Sequence, residues 1–236
     1  PTPEQLWNTL DEECIWPCEY LSIPHNSNLS GGRMFVPYAE LDEDPLRWFE
    51  ELYDFSDGDS SFIPWSDGKP NEFLIDWASD KPPNGKALVV GSGLGEDAVF
   101  LSDLGWDVTA FDISETAIKW SSKIHQKSDV EWRVENLLNL PEEWEAYWDL
   151  VVEIHILQAV PQGIRESAAP NLATLLSKGG RLVCIGRFDS SGKETEGPPW
   201  PLDRQFIDSI GRGLKQISFE VKRRDLDEVD VQRYIS

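Results

Sequence analysis

Residues 87–97 read ALVVGSGLGED: four apolar residues run into a loop with glycine at 91, 93 and 95, and two acids close it. The apolar run, extended to Lys86, is a buried strand. GEDAVFLSDLG (95–105) is a helix that stops on Gly105, with Ala98, Leu101 and Leu104 apolar. The same alternation continues downstream. DVTAF (107–111), VEWRVE (130–135), WDLVVEI (148–154) and RLVCIGRF (181–188) read as strands. Between and after them, SETAIKWSSKIH (114–125), GIRESAAPNLATLLSKGG (163–180) and LDRQFIDSIGRG (202–213) read as helices. Ser114 is placed to cap the first, Gly179-Gly180 to end the second, and Pro170 to kink or restart it. ISFEVKRRD (217–225) and VDVQRYIS (229–236) form a closing hairpin. The fold class this predicts is α/β. Its sheet is Rossmann-like, seven-stranded and mostly parallel, with helices on both faces and an antiparallel C-terminal hairpin.

The chain changes character near residue 85. Residues 1–84 form the expected N-terminal extension and lid, and 85–236 the main domain. In the extension, GGRMFVPYAEL (31–41) holds a short strand broken by Pro37, LRWFEELYDF (46–55) has helical spacing, and EFLIDWASD (72–80) is a helix that Pro82-Pro83 and Gly85 stop.

Composition narrows the function. Among 236 residues, 43 acids outnumber 21 lysines and arginines, a formal charge of −22. Such a surface repels phosphate backbones and anionic membranes, which argues against nucleic acid and membrane partners. No apolar run is long enough to span a bilayer, and the acidic start lacks a signal-peptide layout. A cytoplasmic chain, monomer or homodimer, is expected. The three cysteines, 14, 18 and 184, do not describe a disulfide framework. Cys14 and Cys18 lack the partners of a zinc site, and no metal is expected.

A nicotinamide fingerprint, G-x-G-x-x-G/A, would need a small residue at position 96. Glu96 stands there and would repel a pyrophosphate; no G-K-[ST] of a phosphate loop follows. An acidic glycine loop suits a ligand without phosphate. S-adenosylmethionine carries a sulfonium and an ammonium, so Glu96 and Asp97 suit its charge. Loop amides at Gly91, Ser92, Gly93 and Gly95 suit its carboxylate. Asp112 ends the next strand, where a carboxylate receives ribose hydroxyls.

With LVVGSGLGED, WDVTAFDIS, VEWRVENLLNLP, WDLVVEIHILQAVP and LLSKGGRLVCIGR in view, residues 87–188 resemble class I S-adenosylmethionine-dependent methyltransferases. FIPWSDGKPNEFLIDW (62–77), VVEIHILQAVP (151–161) and GPPWPLDRQF (197–206) resemble the thiopurine S-methyltransferase-like bacterial subgroup. The resemblance implies Asp112 at ribose, Ile113 against adenine, Asn136 at the adenine amine in place of the usual aspartate, and Leu137 offering its backbone. It implies that Trp65 is a lid residue near the methionine end. Val89 stands where the family often has an acid.

Glu153 and His155 follow the fourth strand, at the end that faces a transferred methyl group in this family. Two-residue spacing in a strand points both the same way. Glu153 is then a cofactor contact near the sulfonium, or a structural partner of the lid; His155 is a base, or a packing histidine. Gln158 is a candidate for orienting substrate. His25 reads as exposed and His125 as structural. Trp48, Trp106 and Trp120 read as core. Trp65 and Trp200 are the pocket candidates, and PPWP (198–201) lines the acceptor pocket or serves only as a rigid turn. The expected function is in-line methyl transfer to a small-molecule acceptor, a thiol or related nucleophile among the candidates, with sulfur, oxygen, nitrogen and halide not separated by the sequence. The competing reading is a non-catalytic module that binds S-adenosylmethionine or its demethylated product and acts through a protein partner.

Overall fold

A computed structural model describes residues 44–192, 197–224 and 231–236. Cys14, Cys18, His25 and the strand expected at 31–41 lie outside these residues.

Seven strands form one sheet: β1 (Lys86–Val90), β2 (Asp107–Asp112), β3 (Glu131–Val134), β4 (Trp148–Ile154), β5 (Leu176–Arg187), β6 (Glu220–Lys222) and β7 (Arg233–Ile235). Their spatial order is β3-β2-β1-β4-β5-β7-β6. The first five run parallel; β7 lies antiparallel between β5 and β6. The chain therefore reverses direction across the sheet between β1 and β4. Loops leaving these two strands part there and open a crevice at their carboxyl ends. The glycine loop follows β1, and the segment containing His155 follows β4.

Among the described residues, six helices accompany the sheet: α1 (Arg47–Ser56), α2 (Glu72–Ala78), α3 (Glu96–Leu104), α4 (Glu115–Ile124), α5 (Gln162–Thr174) and α6 (Arg204–Ile210). Alternate residues of the central strands feed opposite cores, as the two-residue period requires. Leu88, Val90 and Val151 pack toward Ala169 and Leu172 of α5 and Ile207 and Ile210 of α6. Ala87, Val89 and Val152 pack toward Phe73 and Leu74 of α2 and Ala98 and Leu101 of α3. A third cluster joins Trp48, Leu52 and Tyr53 of α1 to Ile63, Leu94 and Ala117. The segment before the β-sheet is thus packed onto the glycine loop and α4.

Caps follow the sequence. Ser114 accepts from the Ala117 amide, Asn71 from Phe73, and Asp203 from Phe206. Gly105 ends α3 at φ 104°. Three expectations are corrected. The helix expected over 163–180 ends at Thr174, and residues 176–180 begin β5. The Leu175 carbonyl accepts from Tyr147 and Trp148, and Leu176 pairs with Trp148, so contacts to β4 override the helical pattern. Pro170 lies within a continuous α5 and breaks nothing. Leu104, expected on the apolar face of α3, is 40 % exposed.

Candidate active site

Gly91, Gly93 and Gly95 all adopt positive φ, at 59°, 54° and 93°. Neighbours demand the missing side chains as well. A Cβ on Gly91 would collide with Ile156, and one on Gly95 with Trp132. At Gly93 a Cβ would lie 3.1 Å from the Tyr53 hydroxyl and 3.5 Å from Trp65 Nε1. The loop is thus a bare backbone cradle roofed by two aromatic residues from outside the main sheet. Its amides are ordered from below. Ser92 N–H donates to the Phe111 carbonyl at 2.8 Å, and Gly93 N–H donates to Asp112 Oδ2 at 2.9 Å. His125 sits against the Leu94 carbonyl at 2.9 Å and stacks on Trp132, a structural role as expected. The Ser92 hydroxyl is buried without a hydrogen-bond partner among the described residues.

Asp112 is 7 % exposed at the end of β2. Its second oxygen accepts from the Ser114 amide at 3.0 Å. Burial raises its pKa, while the amide hydrogen bonds oppose the rise. Each carboxylate oxygen keeps a second acceptor site, so Asp112 suits a vicinal diol. The glycine cradle, the orphan Ser92 hydroxyl and this acceptor pair fit S-adenosylmethionine. Ile113 is half-buried beside Asp112. After β3, the Asn136 oxygen accepts from the Leu138 amide at 2.9 Å, so the acceptor expected at adenine is engaged in a local turn. Leu137 is 8 % exposed, and its carbonyl accepts from Asn171 Nδ2 at 2.7 Å.

Trp65, expected to be a lid residue, lies beside Gly93 and Tyr53. Its indole N–H donates to the Tyr53 hydroxyl at 2.8 Å, and its ring meets those of Trp48, Phe49 and Tyr53 edge-on or tilted. Glu96 and Asp97, expected to face cofactor charge, instead hold residues 66 and 71 of the preceding segment. Ser66 Oγ donates to Glu96 at 2.7 Å, and the Asn71 amide donates to Asp97 at 2.7 Å. Burial pushes Asp97 up to about 6.

Glu50 of α1 has no counterpart among the residues singled out from the sequence. Glu50 accepts from Ser114 Oγ at 2.6 Å, from the Thr116 amide at 3.1 Å and from Thr116 Oγ1 at 2.6 Å. Burial works against the Glu50 charge, but these donors hold its pKa below the usual value. Sixty-four residues separate Glu50 from Ser114, and no local motif announces such a cap. The helical spacing of LRWFEELYDF did place Tyr53 on an apolar face.

Glu153 and His155 do not share one direction. β4 ends at Ile154, and His155 takes φ 66°, which breaks the alternation. Glu153 turns inward at 1 % exposure. Its Oε1 accepts from the Ile156 and Leu157 amides at 2.8 and 3.0 Å, and the Cys184 thiol lies beside the carboxyl, placed to donate to it. Burial pushes Glu153 up to about 7. His155 is half-buried, with Nε2 at 3.5 Å from Arg233. Burial, then Arg233 and Arg187, lower its pKa to about 3. It stays neutral at working pH and is too weak a base to take a proton from an amine or alcohol.

Gln158 is 1 % exposed and accepts from the Arg187 amide at 2.6 Å, while its carbonyl accepts from the Trp200 amide. It holds the wall of the crevice. Trp200 faces Arg165, 5.7 Å from guanidinium to ring. Trp48 is buried; Trp106 and Trp120 are half-buried against cores.

The strand order, the crevice and the glycine–aspartate cradle together define a class I methyltransferase. Residues 57–234 match the family described as Thiopurine S-methyltransferase, and the chain belongs to that family. Residues 1–47 match a family described as a protein of unknown function, DUF3604. A probable thiol methyltransferase 2 of Arabidopsis thaliana is 30 % identical over 145 residues, 59 % of this chain and 62 % of that protein, so the match spans less than two thirds of that relative. A thiocyanate methyltransferase 1 of the same plant is 24 % identical over 170 residues, 69 % of this chain and 73 % of the relative. The fold is shared with magnesium protoporphyrin IX methyltransferase (ChlM) of Synechocystis PCC 6803, crystallised with bound SAM, at TM-score 0.52 and 16 % identity over 78 % of this chain and 79 % of that one. It is also shared with N-methyltransferase NodS of Bradyrhizobium japonicum, at TM-score 0.56 and 16 % identity over 69 % and 89 %.

Among the described residues, no helix is long and apolar enough to cross a membrane, and no three His, Cys, Asp or Glu side chains gather to hold a metal ion.

Proposed function

We propose that the protein methylates a small sulfur nucleophile that arrives as an anion, a thiolate or a comparably soft anion such as thiocyanate. One observation carries this reading. Among the described residues, the end of β4 has arginines beside His155, and His155, its pKa lowered to about 3, is too weak a base to serve. Arg187 and Arg233 pair across β5 and β7, and both, with Arg224, disfavour protonation of His155. In a chain of net charge −22, Arg187 and Arg233 beside His155 put local positive charge at the end of β4 that favours an anion.

Bound S-adenosylmethionine supplies a methyl group on a positively charged sulfur that is already a good leaving group. The chain's residues then have limited tasks. The glycine cradle and Asp112 hold the donor; Trp65 and Tyr53 exclude water above Gly93; the arginines draw and orient the acceptor. An amine or alcohol needs a proton removed, and His155 cannot serve. A thiolate or thiocyanate needs none. The two plant relatives carry names of that acceptor chemistry.

The test is a panel of acceptors incubated with protein and S-adenosylmethionine, with methylated product measured by mass spectrometry. Hydrosulfide, thiophenolate and thiocyanate should be methylated, and phenols and amines should not. Preference for an amine or phenol would refute the reading. Calorimetry of Asp112→Ala should show cofactor binding lost with the fold retained.

A further inference from the structure

The lid segment, residues 63–71, is anchored on two sides. On one side Glu96 and Asp97 of the glycine-loop helix hold Ser66 and Asn71. On the other a single guanidinium bridges Asp67 of the lid and Glu72, the first residue of α2. Arg224 Nε donates to Glu72 Oε1 at 2.6 Å, and Arg224 Nη2 to Asp67 Oδ2 at 2.9 Å. Arg224 follows β6, more than 150 residues downstream. The seam continues beside it, where Lys222 lies 5.7 Å from the Phe73 ring and 3.9 Å from Asp76.

The two anchors differ in strength. Asp97 accepts its bond in a desolvated position. The Arg224 fork is partly wet: the arginine side chain is 24 % exposed, Asp67 51 % and Glu72 49 %. Wet ion pairs are weak and break easily. The lid must move for a ligand to enter or leave the cradle, because Trp65 and Tyr53 close on Gly93. The weaker anchor opens first. Arg224 also contributes to the field at His155, so the same guanidinium borders lid and acceptor side.

We propose that Arg224 is a positioning residue: the releasable latch that holds lid 63–71 closed over the cofactor cradle and sets the rate at which cofactor product leaves. The latch rests on the cradle binding S-adenosylmethionine and its demethylated product, but not on the identity of the acceptor. Cutting the fork removes two ion pairs from the closed state only, so dissociation of S-adenosylhomocysteine should accelerate roughly tenfold.

The experiment is stopped-flow displacement of S-adenosylhomocysteine, followed by tryptophan fluorescence, on wild type, Arg224→Ala, Arg224→Lys and the double variant Asp67→Asn/Glu72→Gln. Arg224→Ala and the double variant should both release product roughly tenfold faster, with Arg224→Lys between them and wild type. In turnover, KM for S-adenosylmethionine should rise while kcat holds or increases. Release within twofold of wild type in folded Arg224→Ala overturns the latch. So does fast release in Arg224→Ala with wild-type release in the double variant, because Arg224 would then act on the crevice directly. If Arg224→Ala fails to fold, the double variant decides alone. Wild-type protein that binds no S-adenosylhomocysteine would overturn the cradle assignment, and the latch with it.

Discussion

Replacing Glu153 with glutamine should stabilise the ligand-free protein, and only above a certain pH. The side chain is 1 % exposed, and burial raises its pKa from 4.5 to about 7. The folded protein therefore holds this proton more tightly than the unfolded chain does. Stability from the raised pKa is fully present below pH 4.5 and is lost as pH rises through 7. At 1.36 kcal/mol per pKa unit, the full loss by pH 8 is about 3 kcal/mol. Glutamine keeps the acceptor for the Ile156 and Leu157 amides at 2.8 and 3.0 Å and carries no charge. It should raise the melting temperature at pH 8 by roughly 6–12 °C for a protein of this size. At pH 4.5 it should change little. The assay is thermal unfolding of both proteins from pH 4.5 to 8.5, without cofactor. An equal or lower melting temperature at pH 8, with the wild-type pH slope unchanged, would refute the argument that the buried carboxyl resists ionisation.

Gly93→Ala puts a side chain at φ 54° and its Cβ 3.1 Å from the Tyr53 hydroxyl; it should cost about 1 kcal/mol in backbone strain alone and weaken cofactor binding by calorimetry at least tenfold. Glu50→Ala strips the cap from Ser114 and Thr116 and should destabilise the protein by about 1–2 kcal/mol in denaturant titrations. His155, held near 3 by burial and arginines, remains neutral from pH 5 to 9. Profiles of kcat/KM should follow each acceptor's own thiol ionisation, and a break near 6.5 shared by acceptors of different pKa would contradict this.

Much of the architecture is local in origin and so was legible in the amino-acid order. Two-residue and 3.6-residue periodicities marked the strands and helices, and glycine at 91, 93 and 95 beside Asp112 marked the cradle, because backbone freedom and a strand-end carboxylate are properties of single positions. Glu96 and Asp97 were legible as acids, but not as lid anchors. Their partners, Ser66 and Asn71, lie 30 and 26 residues away. Residues 176–180 continue the apparent helix until β4 supplies hydrogen-bond partners across the sheet. His155 looks aligned with Glu153 until the chain turns at φ 66°. Glu50 and Arg224 carry no local sign of function at all, since each acquires its partners only when segments 64 and about 150 residues apart meet. The order of residues was enough to set out the sheet and the glycine turn beside Asp112. Packing settled that Glu96 and Asp97 bind Ser66 and Asn71, that Glu153 is buried while His155 turns at positive φ, and that Arg187 and Arg233 lie near His155, because contact and desolvation exist only once distant segments are packed together.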